Sequence, residues 1–261
     1  MLKEKTISIN GGREIMLTEE RQKYIMEALT KVPILNLQEV SKQLAVSEST
    51  IRRDFDSLEK AGKLERIHGG AKRVQQRNVE ASLSEKSQVN VLEKQLIGKL
   101  AGEMVADHDT IYLDSGTTTI EMIPWIINKE IIVVTNGLEV AQALYQSQIH
   151  TIVVGGEIKE STGTLIGGIA LSQVQSFNFD KAFIGMNGID LDTGYTTPDI
   201  EEAQIKKAAI DHSRYRYILA DASKFDQSTF CHVCDLDRAI LLTNESNSKY
   251  ENYMKIMEVS Q

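Results

Sequence analysis

Apolar residues recur at helical spacing in three stretches near the start of the chain. Tyr24, Ile25, Ala28 and Leu29 mark one face of a helix that Thr18 is placed to cap, and Leu37, Val40 and Leu44 mark a second, short one. Asn36 stands at the N-cap of that second helix with Glu39 three residues on, a variant of the capping box that pairs the first free amides. Ser47 caps a third helix through Ile51, Phe55 and Leu58, and Gly62 is positioned to end it in a left-handed conformation. Two helices joined by so short a turn make a helix-turn-helix, and the upstream helix encloses its core. The period then changes. Residues 63–73, KLERIHGGAKR, alternate apolar and polar positions and turn at paired glycines, which predicts a two-stranded wing.

Past a polar stretch at 74–84, short apolar runs alternate with amphipathic helical stretches, the signature of a mainly parallel sheet covered by helices. Strands are predicted at 110–113, 131–134, 149–154, 182–184, 217–220 and 239–242, and helices at 97–105, 118–127, 138–145, 166–174 and 200–211. The fold class is therefore α/β. A winged helix-turn-helix is expected at 16–73, a link at 74–96 and a mainly parallel α/β domain at 97–261.

Charge first argues against a nucleic-acid partner, because the chain of 261 residues carries a net −8. Its distribution reverses that. Residues 16–77 hold 12 Lys and Arg against 9 Asp and Glu, whereas 78–261 hold 14 against 26. A basic head on an acidic body suits a protein that touches DNA at one end and repels it elsewhere. No run of about 18 uncharged apolar residues occurs, and the N-terminus lacks the apolar stretch of a secretory signal, so a cytoplasmic protein without membrane contact is expected. Cys231 and Cys234 form a C-x-x-C pair, but only His212 and His232 lie near enough in sequence to complete a zinc site. Reduced thiols, no metal and no cofactor are expected.

Glu48, Ser49, Thr50, Arg52 and Arg53 occupy the first half of the third helix, the part such motifs aim at base edges. With Ile51, Phe55 and Leu58 facing inward, Ser49, Arg52 and Arg53 face out. A solvated helix with pairs such as Glu48 with Arg52 is the alternative; the adjoining wing favours DNA. Arg66, His68, Lys72 and Arg73 of the wing would lie beside the phosphate backbone.

In the larger domain, the strand at 110–113 opens into Asp114, Ser115, Gly116, Thr117, Thr118 and Thr119 and then a helix. Backbone amides, hydroxyls and a helix start converge there, which suits an anion, and Gly116 lets the backbone approach closely. A threonine-rich helix cap without a ligand is the competing reading. No Gly-Lys-Ser/Thr comes after it, so it is not a Walker A loop. Other strand ends carry Thr135-Asn136-Gly137, Gly155-Gly156, residues 185–190 and residues 220–224, and together they describe a cleft where ligands of such sheets bind. Glu202 and Lys206, four apart on one helix, read equally well as a surface pair.

The run TIRRDFDSLEKAGKLERIHGGA at 50–71 resembles the signature of the DeoR family of bacterial sugar-metabolism repressors. So do, in order, DSGTTT at 114–119, VTNGL at 134–138, VVGG at 153–156, KAFIGMNGID at 181–190, TTPDIEEAQIKKA at 196–208 and ADASKF at 220–225. The resemblance implies a C-terminal domain similar in fold to ribose-5-phosphate isomerase. It implies a phosphate held at residues 115–119 and sugar hydroxyls met by Asp114, Asn136, Asp190, Glu202 and Lys224, with Lys224 also offsetting ligand charge. The implied function is repression of a sugar-utilisation operon, relieved by a phosphorylated sugar such as fructose 1-phosphate or tagatose 6-phosphate. The partners are then operator DNA, that effector, and further copies in a homodimer or homotetramer on paired half-sites. Activation rather than repression is an alternative. An isomerase in which Asp190 or Glu202 works with Lys224 is a more distant one, and no enzyme is expected. MLTEERQ at 16–22 resembles the usual start of such proteins, and residues 11–14 can be encoded by purine-rich, ribosome-binding codons, so residues 1–15 are expected to be a start-site extension.

Overall fold

A computed structural model describes residues 9–10, 13–14, 16–32, 34–73 and 80–259. The chain divides into two compact units, 1–75 and 76–261. Ahead of the first helix, β1 (Ile9–Asn10) pairs antiparallel with β2 (Arg13–Glu14). The expectation of a start-site extension falls otherwise on residues outside those described.

The first unit runs α1 (Thr18–Lys31), β3 (Ile34–Asn36), α2 (Leu37–Gln43), α3 (Glu48–Lys60), β4 (Leu64–Ile67) and β5 (Gly70–Arg73). Asn36 caps α2 by accepting from the amides of Gln38 and Glu39 at 2.8 and 3.4 Å, and Ser47 caps α3 by accepting from the Thr50 amide at 3.2 Å. Gly62 takes φ +67°, and the bonds from Gly62 N to Glu59 O and from Lys63 N to Leu58 O close a Schellman motif. Thr18 does not cap α1: Leu17 holds that position, and the Thr18 hydroxyl accepts from Arg21 Nη2 at 3.1 Å. The wing gains a third strand, in the order β3-β5-β4, because Ile34–Asn36 is too short for its alternation to stand out. Ile25, Leu29, Leu37, Val40, Ile51, Phe55 and Leu58 form the core.

The second unit begins α4 (Leu83–Ser87), α5 (Val91–Glu103), β6 (Thr110–Leu113), a 3-10 turn at Ile120–Met122, α6 (Ile123–Ile126), β7 (Ile132–Thr135), α7 (Leu138–Gln146) and β8 (His150–Val153). It continues β9 (Glu157–Lys159), β10 (Thr164–Ile166), α8 (Gly167–Gln175), β11 (Phe179–Gly185), β12 (Gly188–Asp190), β13 (Gly194–Thr197), α9 (Ile200–Asp211) and β14 (Ser213–Leu219). A 3-10 turn at Ala222–Lys224, β15 (Cys231–Cys234), a 3-10 turn at Leu236–Arg238, β16 (Ile240–Thr243) and β17 (Lys255–Glu258) complete it.

Seven strands form a parallel sheet in the order β17-β16-β14-β11-β6-β7-β8. Alternation along each strand supplies both faces: Ile111 and Leu113 pack with Ile97 and Met122, whereas Tyr112 packs with Phe179 and Ile184. The chain winds outward from β6 through β7 to β8, then returns to β11 on the other side of β6, so the order reverses between β6 and β11. A crevice opens at such a point beyond the strands' carboxyl ends.

Three expectations change. The helix expected at 97 begins six residues earlier, at Val91, and α4 (Leu83–Ser87) also falls within the expected link. The helix expected at 118–127 breaks into a 3-10 turn and α6, because Pro124 lacks the amide that would bond back to Ile120. The short antiparallel pairs β9 with β10 and β12 with β13 and β15 have no counterpart among the predicted strands. Among the described residues no helix is long and apolar enough to cross a membrane.

Candidate functional site

In the first unit, burial of Ile51, Asp54, Phe55 and Leu58 turns the opposite side of α3 outward, leaving Glu48, Ser49, Arg52 and Arg53 exposed and Thr50 half-buried. The Ser49 and Thr50 hydroxyls each lie 2.8 Å from Ser47 Oγ, so part of their hydrogen bonding is spent on the helix start. A concave groove of about 700 Å³ runs between the start of α3 and the wing, lined by residues that include Asn36, Glu48, Arg52, Arg66, His68 and Gly69. Arg66 is held back by an ion pair with Asp56, and its amide donates to Glu59 Oε1 at 2.8 Å. Among the described residues its Nε is buried without a hydrogen-bond partner. Lys72 pairs with Glu65 at 3.1 Å. Arg73 lies on β5, and its side chain is outside the described residues. No sequence pattern marks Arg21, whose Nε and Nη2 bind the Asp54 carboxylate at 2.7 and 3.1 Å and clamp α1 to α3.

In the second unit the loop 114–119 lies at the reversal between β6 and β11. Asp114 is buried, and its Oδ2 accepts from Lys206 Nζ at 2.5 Å and from the Gly185 amide at 3.0 Å. Among the described residues its Oδ1 has no hydrogen-bond partner. Thr119 Oγ1 lies 2.7 Å from the carbonyls of both Asp114 and Gly116 and ties the loop to itself. Ser115 Oγ meets Thr164 Oγ1 at 2.8 Å. Among the described residues no hydrogen bond is donated by the amides of Gly116, Thr117 or Thr118, so these remain open to an anion.

One cation, Lys206, bonds the loop directly, and three more lysines are tied to neighbouring acidic groups. Lys206 is buried; burial works against its charge, but Asp114 and Glu202 hold its pKa above the usual lysine value. It is therefore part of the cleft and not of a surface pair with Glu202. Glu202 is also buried and accepts from Lys159 Nζ at 2.9 Å and Thr162 Oγ1 at 3.0 Å. Lys94, on α5, is buried and pushed below its usual pKa by that burial, against the pull of Asp221. Lys224 lies close enough to act on the charges of both Lys94 and Asp221. The sequence analysis does not single out Lys94, which is buried, or Lys159, which is half-buried, and it weighs Lys206 only against a surface pair with Glu202. A partial signal for Lys206 exists, since in IEEAQIKKAAI it stands at helical spacing from Glu202, Ala203, Ala209 and Ile210, the buried face of α9.

Other expected residues are engaged elsewhere. Asn136 Oδ1 accepts from the Tyr112 hydroxyl at 2.8 Å and its Nδ2 donates to Leu165 O at 3.3 Å, which makes it a brace behind the loop. Asp190 accepts from the amides of Asp192 and Thr193 at 3.0 and 3.1 Å, closing the turn between β12 and β13. Gly156 has φ +147°, and a Cβ there would lie 2.4 Å from Ile166 O, so backbone crowding requires this glycine. Cys231 and Cys234 are three residues apart on one strand, roughly 10 Å and on opposite faces, too far for a disulfide. Among the described residues no group of three or more His, Cys, Asp or Glu is placed to hold a metal ion.

Comparison with known proteins accounts for both units. Residues 21–77 match the DeoR-like helix-turn-helix domain and residues 89–245 match the DeoR C terminal sensor domain. The chain is 39% identical over 242 residues to the "uncharacterized HTH-type transcriptional regulator FruR" of Bacillus subtilis (strain 168), covering 92% of this chain and 96% of that protein. It is 34% identical over 254 residues to the lactose phosphotransferase system repressor of Streptococcus mutans, covering 94% and 99%. Among solved structures, ribose 5-phosphate isomerase A from Methanocaldococcus jannaschii matches with a TM-score of 0.38 and 18% identity, covering 51% of this chain and 53% of that one. With both domains matched and relatives aligned over almost their whole length, the chain belongs to the DeoR family of transcriptional regulators.

Proposed function

We propose that this regulator represses a sugar-utilisation operon and releases its operator when a phosphorylated sugar, fructose 1-phosphate or tagatose 6-phosphate, enters the cleft at the β6–β11 reversal. The observation that carries the reading is the pairing of an orphaned acceptor, Asp114 Oδ1, with unused amides two to four residues further along. A buried carboxylate oxygen without a partner is costly and suits a sugar hydroxyl. Open amides at a loop between strand and helix suit a phosphate. One ligand carries both groups. Lys94 and Lys224 add positive charge on the same side of the sheet, and a relative named as a phosphotransferase-system repressor supports the sign of regulation.

On the DNA side, Arg52 and Arg53 of α3 read base edges, while Arg66, His68, Lys72 and Arg73 meet the backbone. Paired half-sites call for a homodimer or homotetramer. The test is a gel shift of the full chain on the DNA upstream of its own gene, with fructose 1-phosphate, tagatose 6-phosphate and the unphosphorylated sugars. Release by one phosphorylated sugar and not by its parent sugar is the expected result. Retention of the complex with every phosphorylated sugar, or equal release by the parent sugars, would overturn the reading.

A further inference from the structure

The segment just after the DNA-binding unit does not run free of the cleft. The Glu80 side chain is only 7% exposed, and its carboxylate accepts from Lys86 Nζ at 2.5 Å and from Lys159 Nζ at 2.7 Å. Asn187, just beyond β11, reaches it at 3.5 Å. Three further bonds fix the residues after Glu80: Leu83 N to Ser161 O at 3.0 Å, Asn90 Nδ2 to Asp221 Oδ1 at 2.9 Å, and Lys94 Nζ to Lys86 O. Residues 80–94 are thus fastened to loops that come after β9, β11 and β14.

Lys159 leads from Glu80 to the anion loop. In the β9–β10 pair it stands opposite Thr164, so the two side chains share a face with Cβ atoms about 5 Å apart. Thr164 Oγ1 touches Ser115 Oγ, the first hydroxyl after Asp114. Glu80 shares the Lys159 ammonium with Glu202 at 2.9 Å and Asp199 at 3.2 Å, and Lys159 is separated from the loop proposed for the phosphate by Thr164 alone. Burial disfavours the charge on Glu80, yet Lys86 and Lys159 keep it ionised, with a pKa held down to about 2. A phosphate carries up to about twice the charge of a carboxylate at pH 7 and is the stronger partner for a lysine.

We infer that Glu80 is a built-in competitor of the effector: in the free protein its carboxylate holds Lys159 and Lys86, and a phosphate arriving at residues 115–119 takes Lys159 and frees residues 80–87. This rests on the reading of the cleft as a sugar-phosphate site. In the sequence, Arg73 at the end of the wing stands seven residues before Glu80.

Two measurements on the full chain test it, with fructose 1-phosphate, tagatose 6-phosphate and inorganic phosphate as probes. By calorimetry, Glu80→Gln, which keeps the side chain's shape and removes its charge, binds the sugar phosphate about tenfold more tightly than wild type. By hydrogen exchange, residues 80–87 of the wild type, including the Leu83 amide, exchange faster once the sugar phosphate is saturating. Equal or weaker binding by Glu80→Gln, with the wild type still binding, overturns the competitor and leaves the cleft intact. Exchange at 80–87 that is unchanged or slower on saturation does the same, and needs no variant to fold. Failure of wild type and variant alike to bind any of the three probes defeats the cleft reading, and the competitor with it.

Discussion

Asp54 and Asp114 are both buried carboxylates, but their partners differ. Both oxygens of Asp54 are bonded to Arg21, whereas Asp114 keeps Oδ1 free. Removing one member of a buried ion pair strands the other, so Asp54→Ala is expected to lower the stability of the first unit by about 3–5 kcal/mol, read by thermal unfolding. A loss under about 1 kcal/mol would show that Arg21 finds water instead. Arg53→Ala touches nothing in the core and is expected to leave unfolding and sugar-phosphate binding unchanged while weakening operator binding about tenfold or more, within the range of a base contact. Equal loss of both activities would contradict the division of labour. At this scale the outward-facing residues of α3 are legible in the sequence, because a helix with Ile51, Phe55 and Leu58 inside leaves little choice for its neighbours. The partner of Asp54 is not: the helical period puts Asp54 on the face of Ile51 and Leu58 and Asp56 off it, but the arginine that pairs with Asp54 lies 33 residues away.

Helix α5 and the turn beyond β6 pack through glycines. A Cβ on Gly98 would come 2.5 Å from the Glu121 carbonyl carbon, and one on Gly102 would come 2.4 Å from Trp125 Cβ. Alanine gains up to about 1 kcal/mol of helix propensity over glycine, but overpacking costs about 1–3 kcal/mol, and backbone cannot move aside as a flexible side chain would. Gly98→Ala is thus expected to destabilise the second unit in chemical denaturation; a gain in stability would mean the helix can shift. The start of α5 is hidden in the sequence because KSQVNVLEK looks polar, and its burial of Lys94 depends on loops far along the chain. The strand ends are legible, since Gly and Asn after short apolar runs mark them. The antiparallel pairs are not, because three-residue strands carry too little alternation.

Segment 80–87 adds a pH dependence. The Glu80 pKa is lowered on folding from 4.5 to about 2, so its contribution to stability is full above about 4.5 and is lost as pH falls toward 2. The stability difference between wild type and Glu80→Gln is expected to be constant near neutrality and to shrink through that window. A difference that grows on acidification would mean that Glu80 is protonated in the folded chain.

For the whole molecule, the charge split and the two pattern periods divide a basic DNA-reading head from an acidic sensor, and the sheet order supplies what the pattern lacks: the reversal that places residues 114–119 beside Gly185. A sugar phosphate that weakens operator binding tenfold needs a preference of only about 1.4 kcal/mol for the released form, an ordinary coupling energy. Gly116→Val, which crowds the anion loop, is expected to give a protein that binds operator normally and ignores the sugar phosphate. The most direct measurement is operator affinity of the wild-type chain, by fluorescence anisotropy, across a titration of fructose 1-phosphate and of tagatose 6-phosphate. The account predicts at least a tenfold weakening with one of them. Unchanged operator affinity at concentrations where calorimetry shows that sugar phosphate bound would contradict it.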